Sequence, residues 1–134
     1  MVANRTVELE ACTVAFLEDD VVHTHFKPGR IVQPADVQAM FETLGRVREG
    51  RKALLMVTVA EGTTMSNEAR AFASAPDSNS YIAADAIVVR DFGHQLAANV
   101  FVRHHKPGRP IQMFPDKATA LDWLRRQHHL VDPA

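Results

Sequence analysis

The chain has 134 residues, 46% of them hydrophobic, which is enough for one domain that buries a sizeable core. Its 15 basic and 16 acidic residues give a formal net charge of −1, so overall charge does not favour binding to nucleic acid or to an anionic membrane. No apolar run is long enough to cross a membrane, and the opening MVANRTVELE lacks the pattern of a signal peptide, so we expect a cytoplasmic protein.

The first predicted element is a hairpin. TVAFLE and VVHTHF, residues 13–18 and 21–26, have the composition of strands, and Asp19 and Asp20 between them tolerate the left-handed backbone of a tight turn. The preceding VELEA alternates in the opposite phase, which indicates a bulge or a bend before the hairpin. Cys12 is the only cysteine, so we expect it to be a small buried hydrophobe, and no intramolecular disulfide can form.

Helices and strands then alternate. QPADVQAMFETLGRVRE, residues 33–49, has apolar residues at helical spacing, and Pro34 suits a first-turn position. ALLMVTVA, residues 53–60, is apolar on both alternating faces, which is typical of a central strand. In EGTTMSNEARAFASA, residues 61–75, Ser66 is the predicted N-cap of a short helix.

The last third of the chain continues the alternation. We predict a strand at 82–89, a helix at 91–105, a short strand at 110–114 and a terminal helix that starts near Asp116. The segment SAPDSNS, residues 74–80, has the composition of a surface loop.

These elements have the order β-β-α-β-α-β-α-β-α in a single domain, residues 1–134, with its core at about 13–127. We predict an α/β fold with a single-layer mixed, mostly parallel sheet of about five strands and four helices, because helical crossovers join parallel strands. Ligands of such sheets usually bind beyond the carboxyl ends of the strands.

That rule selects the candidate site residues, which follow predicted strands and should lie at one edge of the sheet. They are Lys27, Arg30, Thr63, Thr64, Ser66, Arg90 and His94.

The motif KPGR occurs twice, at 27–30 and at 106–109. The first copy follows a predicted strand and the second precedes one, so in a parallel sheet they lie at opposite ends, roughly 17–20 Å apart. We interpret both as turns in which Pro fixes φ, Gly accepts positive φ and the flanking Lys and Arg stay solvated. The alternative is a paired anion clamp, which would need an oligomer to bring the two loops together.

Metal and nucleic-acid sites are not favoured. Of the seven histidines, His23 and His25 fall on one face of a strand, but no acidic or thiolate partner is spaced to complete a site, so we predict no metal and no cofactor. The basic residues of the C-terminal part lack an accompanying RNA-binding aromatic motif, and we interpret them as a solvated face. These basic residues are Arg103, Lys106, Arg109, Arg125 and Arg126.

Common enzyme motifs are missing, among them GxGxxG, GxSxG and HExxH. Asp91 and His94 resemble part of an acid–base pair, but an Asp cap three residues before a polar His is ordinary helix chemistry. We therefore predict a non-enzymatic protein and keep an acid–base enzyme as the weaker alternative.

The element order, with TMSNEARAFAS in the middle and VFVRHHKPGRPIQMFPDKATALDWL at the end, resembles an uncharacterised bacterial family. Its members are similar to STAS domains, the fold of anti-sigma-factor antagonists of the SpoIIAA type, and more loosely to CRAL-TRIO folds. The resemblance spans about 13–127. It implies a protein-interaction or regulatory module.

In the antagonists, a Ser or Thr at the start of the helix after the central strand is phosphorylated. The resemblance therefore makes Thr63, Thr64 and Ser66 the candidate phospho-acceptors, although the acidic-serine-serine-glycine signature is absent. A phosphate there would lie at a helix N-terminus, within reach of Lys27, Arg30 or Arg90.

Two further expectations concern partners. One alternative function is a carrier of a small apolar ligand, with Phe26, Phe72, Phe92 and Phe101 lining a cavity between sheet and helices. We also expect a homo-oligomer, with a dimer favoured, because the opening hairpin leaves an edge strand that must be covered or paired. A protein partner is expected, and neither nucleic acid nor a membrane.

Overall fold

The computed structural model describes residues 5–89 and 108–131. The strands are β1 (Arg5–Glu8), β2 (Cys12–Phe16), β3 (Val21–Phe26), β4 (Ile31–Val32), β5 (Ala53–Val59), β6 (Thr64–Met65), β7 (Ile82–Val88) and β8 (Ile111–Phe114). The α-helices are α1 (Pro34–Val47), α2 (Asn67–Ser74) and α3 (Lys117–Arg125), and two short 3₁₀ helices cover Pro76–Ser80 and His128–Leu130.

The main sheet is mixed and mostly parallel. Its strand order is β1-β2-β3-β5-β7-β8, with β1, β2 and β3 antiparallel and β3, β5, β7 and β8 parallel. Strands β4 and β6 form a separate two-stranded parallel sheet. The predicted α/β class and the central position of the 53–60 strand are confirmed.

Within the main sheet, strand β1 is the element that the sequence did not predict. The expected bulge or bend is a full reversal of the chain: the Leu9 amide donates to the Cys12 carbonyl at 2.8 Å, and Val7 pairs with Val14 of β2. The main sheet therefore has six strands rather than about five. Three of the four predicted α-helices lie within the described ranges, and the one predicted at 91–105 lies outside them.

The first helix and the first turn form for the predicted reasons. Asp19 has a φ of 42°, which is the left-handed backbone expected between β2 and β3. Helix α1 begins at Pro34, and the Gln33 amide just before it donates to Asp36 Oδ2 at 2.9 Å.

The other two helices begin at the predicted positions, and each has a side-chain cap. Ser66 Oγ accepts from the Ala69 amide at 3.0 Å at the start of α2, and Asp116 Oδ1 accepts from the Thr119 amide at 2.8 Å at the start of α3.

Helices cover both faces of the sheet. On one face α1 and α2 pack over a core that includes Leu44 and Leu55, while on the other face α3 contributes Leu124 to a core with Leu54 and Met56. Strand β5 supplies residues to both cores, which explains its continuous apolar sequence. Burying one such leucine contributes roughly 1.5–3 kcal/mol.

Two predictions about solvated segments were wrong. The expected surface loop at 74–80 contains a 3₁₀ helix, and Ser78 within it is 1% exposed. Arg109, expected to stay solvated, has a side chain only 7% exposed and pairs with Asp85 at 2.7 Å. The guanidinium also donates to Ser78 Oγ and to the Asn79 side-chain oxygen, so this buried cation has several fixed partners.

None of the helices within residues 5–89 and 108–131 has the length and the apolar character needed to cross a membrane.

Candidate functional site

The candidate site is formed by two loops that follow parallel neighbouring strands. Residues 27–33 follow β3 and residues 61–66 follow β5, and we call these two segments together the rim. Because β3 and β5 run in the same direction, their carboxyl ends bring both loops to one end of the sheet. This is the arrangement that the sequence predicted.

Two glycines let the loops approach each other. Gly29 and Gly62 have φ values of 67° and 81°, in the left-handed region that favours glycine. A Cβ atom added to Gly62 would lie 3.7 Å from the Gly29 backbone, and the Gly29 amide donates to the Glu61 carbonyl at 3.3 Å. The loops are therefore in backbone contact.

Thr63 ties the two loops together. Its side chain is buried, its hydroxyl donates to the Lys27 carbonyl, and its Oγ1 accepts from the Arg30 amide at 3.4 Å. The hydroxyl is committed to these contacts. Of the three predicted phospho-acceptors, Thr63 therefore has a structural role inside the rim.

The β4–β6 pairing continues the connection toward the helices. Ile31 pairs with Thr64 and Val32 with Met65, and the Thr64 amide donates to the Arg30 carbonyl at 3.1 Å. Val32 points into the core at 1% exposure, so its neighbour Ile31 points outward and is 59% exposed. Among the residues that the structure describes, Ile31 is the only large hydrophobic side chain left exposed.

The remaining predicted residues at this edge have different environments. Thr64 is exposed, and Ser66 is half-buried with its oxygen capping α2. Arg30 is half-buried, and its Nε is buried without a hydrogen-bond partner in the described part of the chain. The Lys27 ammonium leaves the rim: it donates to the Leu9 carbonyl at 2.7 Å and lies 3.8 Å from Glu8.

The structure thus brings Arg30, Thr63, Thr64 and Ser66 together. Arg90 and His94, the other two predicted contacts, lie outside the described residues. Sequence reasoning missed Ile31, because only the pairing of β4 with β6 decides which of two adjacent apolar residues faces solvent.

The two KPGR copies lie at opposite ends of the sheet, as predicted. The first follows the carboxyl end of β3, whereas Arg109 binds Ser78 and Asn79, which precede β7. Gly108 has a φ of 83° and Gly29 one of 67°, so both copies use the predicted positive-φ turn. As predicted, the two copies cannot form one site within one chain.

A second polar cluster lies on the sheet face that α3 partly covers. His23 Nε2 and His25 Nδ1 each lie 2.7 Å from Thr58 Oγ1, so one hydroxyl joins both imidazoles. Burial, together with charge repulsion from Lys117 and His25, lowers the pKa of His23 to about 4. The sequence predicted that His23 and His25 share one strand face; the member it missed is Thr58, a hydroxyl within an apolar strand.

Other reactive groups are structural. Cys12 is fully buried, and that burial raises the pKa of its thiol to about 11, so the thiol stays protonated near neutral pH. No group of three or more His, Cys, Asp or Glu side chains arranged to hold a metal ion occurs in residues 5–89 or 108–131.

The basic C-terminal residues have individual partners. Arg125 pairs with Glu18, and Arg126 lies 3.4 Å from Asp122, with both of these pairs largely exposed. Arg103 and Lys106 lie outside the described residues.

This chain matches one family of known sequences and is similar to a solved structure. The model of the family described as "Domain of unknown function (DUF7793)" matches residues 15–128. One similar solved structure is an uncharacterised protein of the DUF3478 family from Shewanella loihica PV-4, described as having a SpoIIAA-like fold. The identity is 15%, the TM-score is 0.49, and the match covers 91% of this chain and 92% of that one. No curated protein matches this sequence.

Proposed function

We propose that this chain, which belongs to the DUF7793 family, is a protein-interaction module that docks a partner protein through the rim. The observation that carries the proposal is Ile31, which is 59% exposed on a strand whose backbone is fixed by pairing with β6. A single exposed apolar residue is common on protein surfaces. Ile31 differs because strand pairing fixes its backbone and places the exposed side chain beside polar groups, an arrangement that suits the centre of an interface.

The surroundings of Ile31 fit a protein partner. Thr64 is its exposed cross-strand neighbour, and Arg30 and Val32 flank it along the chain. Apolar contact at the centre with hydroxyl and guanidinium groups around it is the usual composition of a protein interface. The backbone bonds between the two loops pre-organise this surface, which lowers the ordering cost of binding.

We propose that phosphorylation of Thr64 or Ser66 controls the docking. Thr64 is exposed, and Ser66 stands at the N-terminus of α2, where the free backbone amides favour negative charge. The Arg30 guanidinium offers a cation in the other segment of the rim. A phosphate at either position would place a double negative charge beside Ile31 and so change the surface that a partner meets.

The docking experiment compares Ile31→Arg with Gln112→Arg, a control that adds the same charge at an exposed position of β8. Tagged full-length protein is used to recover partners from the native cell extract, and the bound peptides are quantified by mass spectrometry. We expect a set of proteins retained by wild type and Gln112→Arg and lost with Ile31→Arg. Equal recovery by all three proteins would refute docking at the rim.

The phosphorylation step is tested by Ser66→Asp and Thr64→Asp in the same assay. Asp is also a favourable N-cap, so Ser66→Asp keeps α2 while it adds charge. We expect recovery of the rim-dependent partners to change, and unchanged recovery with both variants would remove the switch while leaving the docking intact.

Self-association is a separate part of the proposal. Within the described residues, β1 is an edge strand with Arg5, Thr6 and Glu8 exposed, and its outer backbone groups have no partner strand there, so they can pair with a second copy. We propose a dimer through β1. Thr6→Pro, which removes an edge amide, should lower the mass measured by light scattering, and an unchanged mass would contradict this interface.

The two alternative functions stay predictions. For the apolar-ligand carrier, Phe26 is buried in the core at 2% exposure, Phe72 is half-buried between α1 and α2, and Phe92 and Phe101 lie outside the described residues. Asp91 and His94 of the acid–base alternative also lie outside them.

A further inference from the structure

A cavity of about 280 Å³ opens between α1, α2 and the 3₁₀ helix that follows α2. It lies away from the rim, and its lining combines three aromatic rings with three polar side chains. These six residues are Phe41, Phe72, Tyr81, Gln38, Asp77 and Ser78. Its volume is close to the lower bound of typical small-molecule sites, roughly 300 Å³.

The aromatic lining is a fixed stack. The Phe41 ring lies 5.0 Å from Tyr81 with the planes 5° apart, and 5.8 Å from Phe72 with the planes 28° apart. Phe41 is fully buried, whereas Phe72 and Tyr81 are half-buried and keep part of their surface open. Gly45 permits this packing, because a Cβ atom there would lie 3.2 Å from the Tyr81 ring. A ligand in the cavity would therefore contact pre-organised aromatic rings.

The polar lining is biased toward negative charge. Asp77 is exposed, and its carboxylate has no hydrogen-bond or ion-pair partner within the part of the chain described. The Gln38 amide donates to Glu42 Oε2 at 3.1 Å, which leaves the amide oxygen as an acceptor at the cavity. An unpaired carboxylate beside aromatic faces is a combination that attracts organic cations.

The buried guanidinium of Arg109, which lies beside the cavity lining, does not cancel the attraction of the cavity for a cation. Arg109 reaches Ser78 Oγ from behind the lining at 2.7 Å, but its charge is paired with Asp85 at 2.7 Å. Ser78 also donates to the Ala75 carbonyl, so its hydroxyl is committed to the protein. Asp77 is left as the charged group that determines ligand preference.

From this lining we infer that the cavity is a binding site for a small organic cation with an apolar or aromatic body. The aromatic rings hold the apolar body, and Asp77 pairs with the cationic group. This site is independent of the rim and of any partner docked there.

The test uses the full-length protein and three probes of one shape in NMR titrations: 2-phenylethylammonium, neutral 2-phenylethanol and anionic phenylacetate. We expect the ammonium to bind most tightly and to shift the resonances of Phe72 and Tyr81. Asp77→Asn should lower the affinity for the ammonium by about two- to fivefold and leave the affinity for the alcohol unchanged. Asp122→Asn, which removes one exposed carboxylate from α3, is the matched control and should behave like wild type.

A second variant tests the cavity by shape. Ala75 lines it at the end of α2 with an extended backbone that accepts a larger residue, so Ala75→Leu should fill the space and abolish binding of all three probes. Binding of the alcohol as tightly as the ammonium would overturn the charge preference. Absence of shifts at Phe72 and Tyr81, or full binding by Ala75→Leu, would overturn the site.

Discussion

Replacing Arg109 by Met should destabilise the fold strongly. The guanidinium and the Asp85 carboxylate are each only 7% exposed, and they pair at 2.7 Å. Arg109 also donates to Ser78 Oγ at 2.7 Å and to the Asn79 side chain at 2.8 Å. Met keeps the length of the side chain but leaves Asp85 buried without its cation, a loss that costs about 3–5 kcal/mol. That is a large part of the roughly 5–15 kcal/mol that stabilises a domain.

The pH dependence separates the charge effect from lost packing. Burial raises the pKa of Asp85 above its usual value, and Arg109 opposes that rise. A carboxyl with a raised pKa in the folded state binds protons more tightly when folded. Its contribution to stability therefore falls as the pH rises from its ordinary pKa through the raised pKa of the folded state. Without Arg109 the pKa rises further. The destabilisation by Arg109→Met should therefore be largest at neutral pH and smaller in acid.

Urea unfolding followed by circular dichroism gives the free energy of unfolding for wild type, Arg109→Met, Asp85→Asn and the double variant. We expect the double variant to be more stable than Arg109→Met, because the unpaired buried charge is removed. The reasoning is refuted if the double variant is no more stable than Arg109→Met, or if the loss caused by Arg109→Met is the same in acid as at neutral pH.

Three further predictions concern other residues. Because burial is the main cause that lowers the pKa of His23 to about 4, the free energy of unfolding should fall as the pH drops from about 6.5 toward 4. His23→Gln should reduce this dependence on pH in urea unfolding, and an equal dependence in the variant would contradict the reasoning. Gly62→Ala should destabilise by about 1 kcal/mol or more, since φ is 81°, and an unchanged melting temperature would contradict the strain. Ser66→Ala should cost about 1 kcal/mol and Ser66→Asp little, a contrast that thermal unfolding measures and that equal losses would refute.

The fold could be predicted where local patterns carry the information. Helix α1 has apolar residues at helical spacing and a Pro at its start, and β5 has an uninterrupted apolar run, so both were recognised from the sequence alone. Strand β1 was missed because its turn at 9–12 contains no Gly, Asn or Pro, and only pairing with β2 stabilises it.

The site was predictable to the extent that strand direction places loops. Parallel β3 and β5 put residues 27–33 and 61–66 together, and this follows from element order. Which hydroxyl faces solvent does not follow from it. Thr63 and Thr64 are adjacent and chemically identical, yet one is buried in the contact between loops and the other is exposed.

The two KPGR copies share the conformation that their own residues determine and differ in the contacts that distant residues determine. Both glycines take positive φ, because that conformation is a property of the turn. The two arginines differ in their partners. Arg109 forms a buried ion pair with Asp85 of β7, while the buried Arg30 Nε has no hydrogen-bond partner in the described ranges. The Arg30 guanidinium is half-buried beside Ile31 and Thr64 and has no hydrogen-bond or ion-pair partner in the described ranges, so it is available to a bound or covalently attached anion, whereas a fully paired one is not. The first copy, rather than the second, is therefore where mutation of an arginine should alter binding before it alters stability.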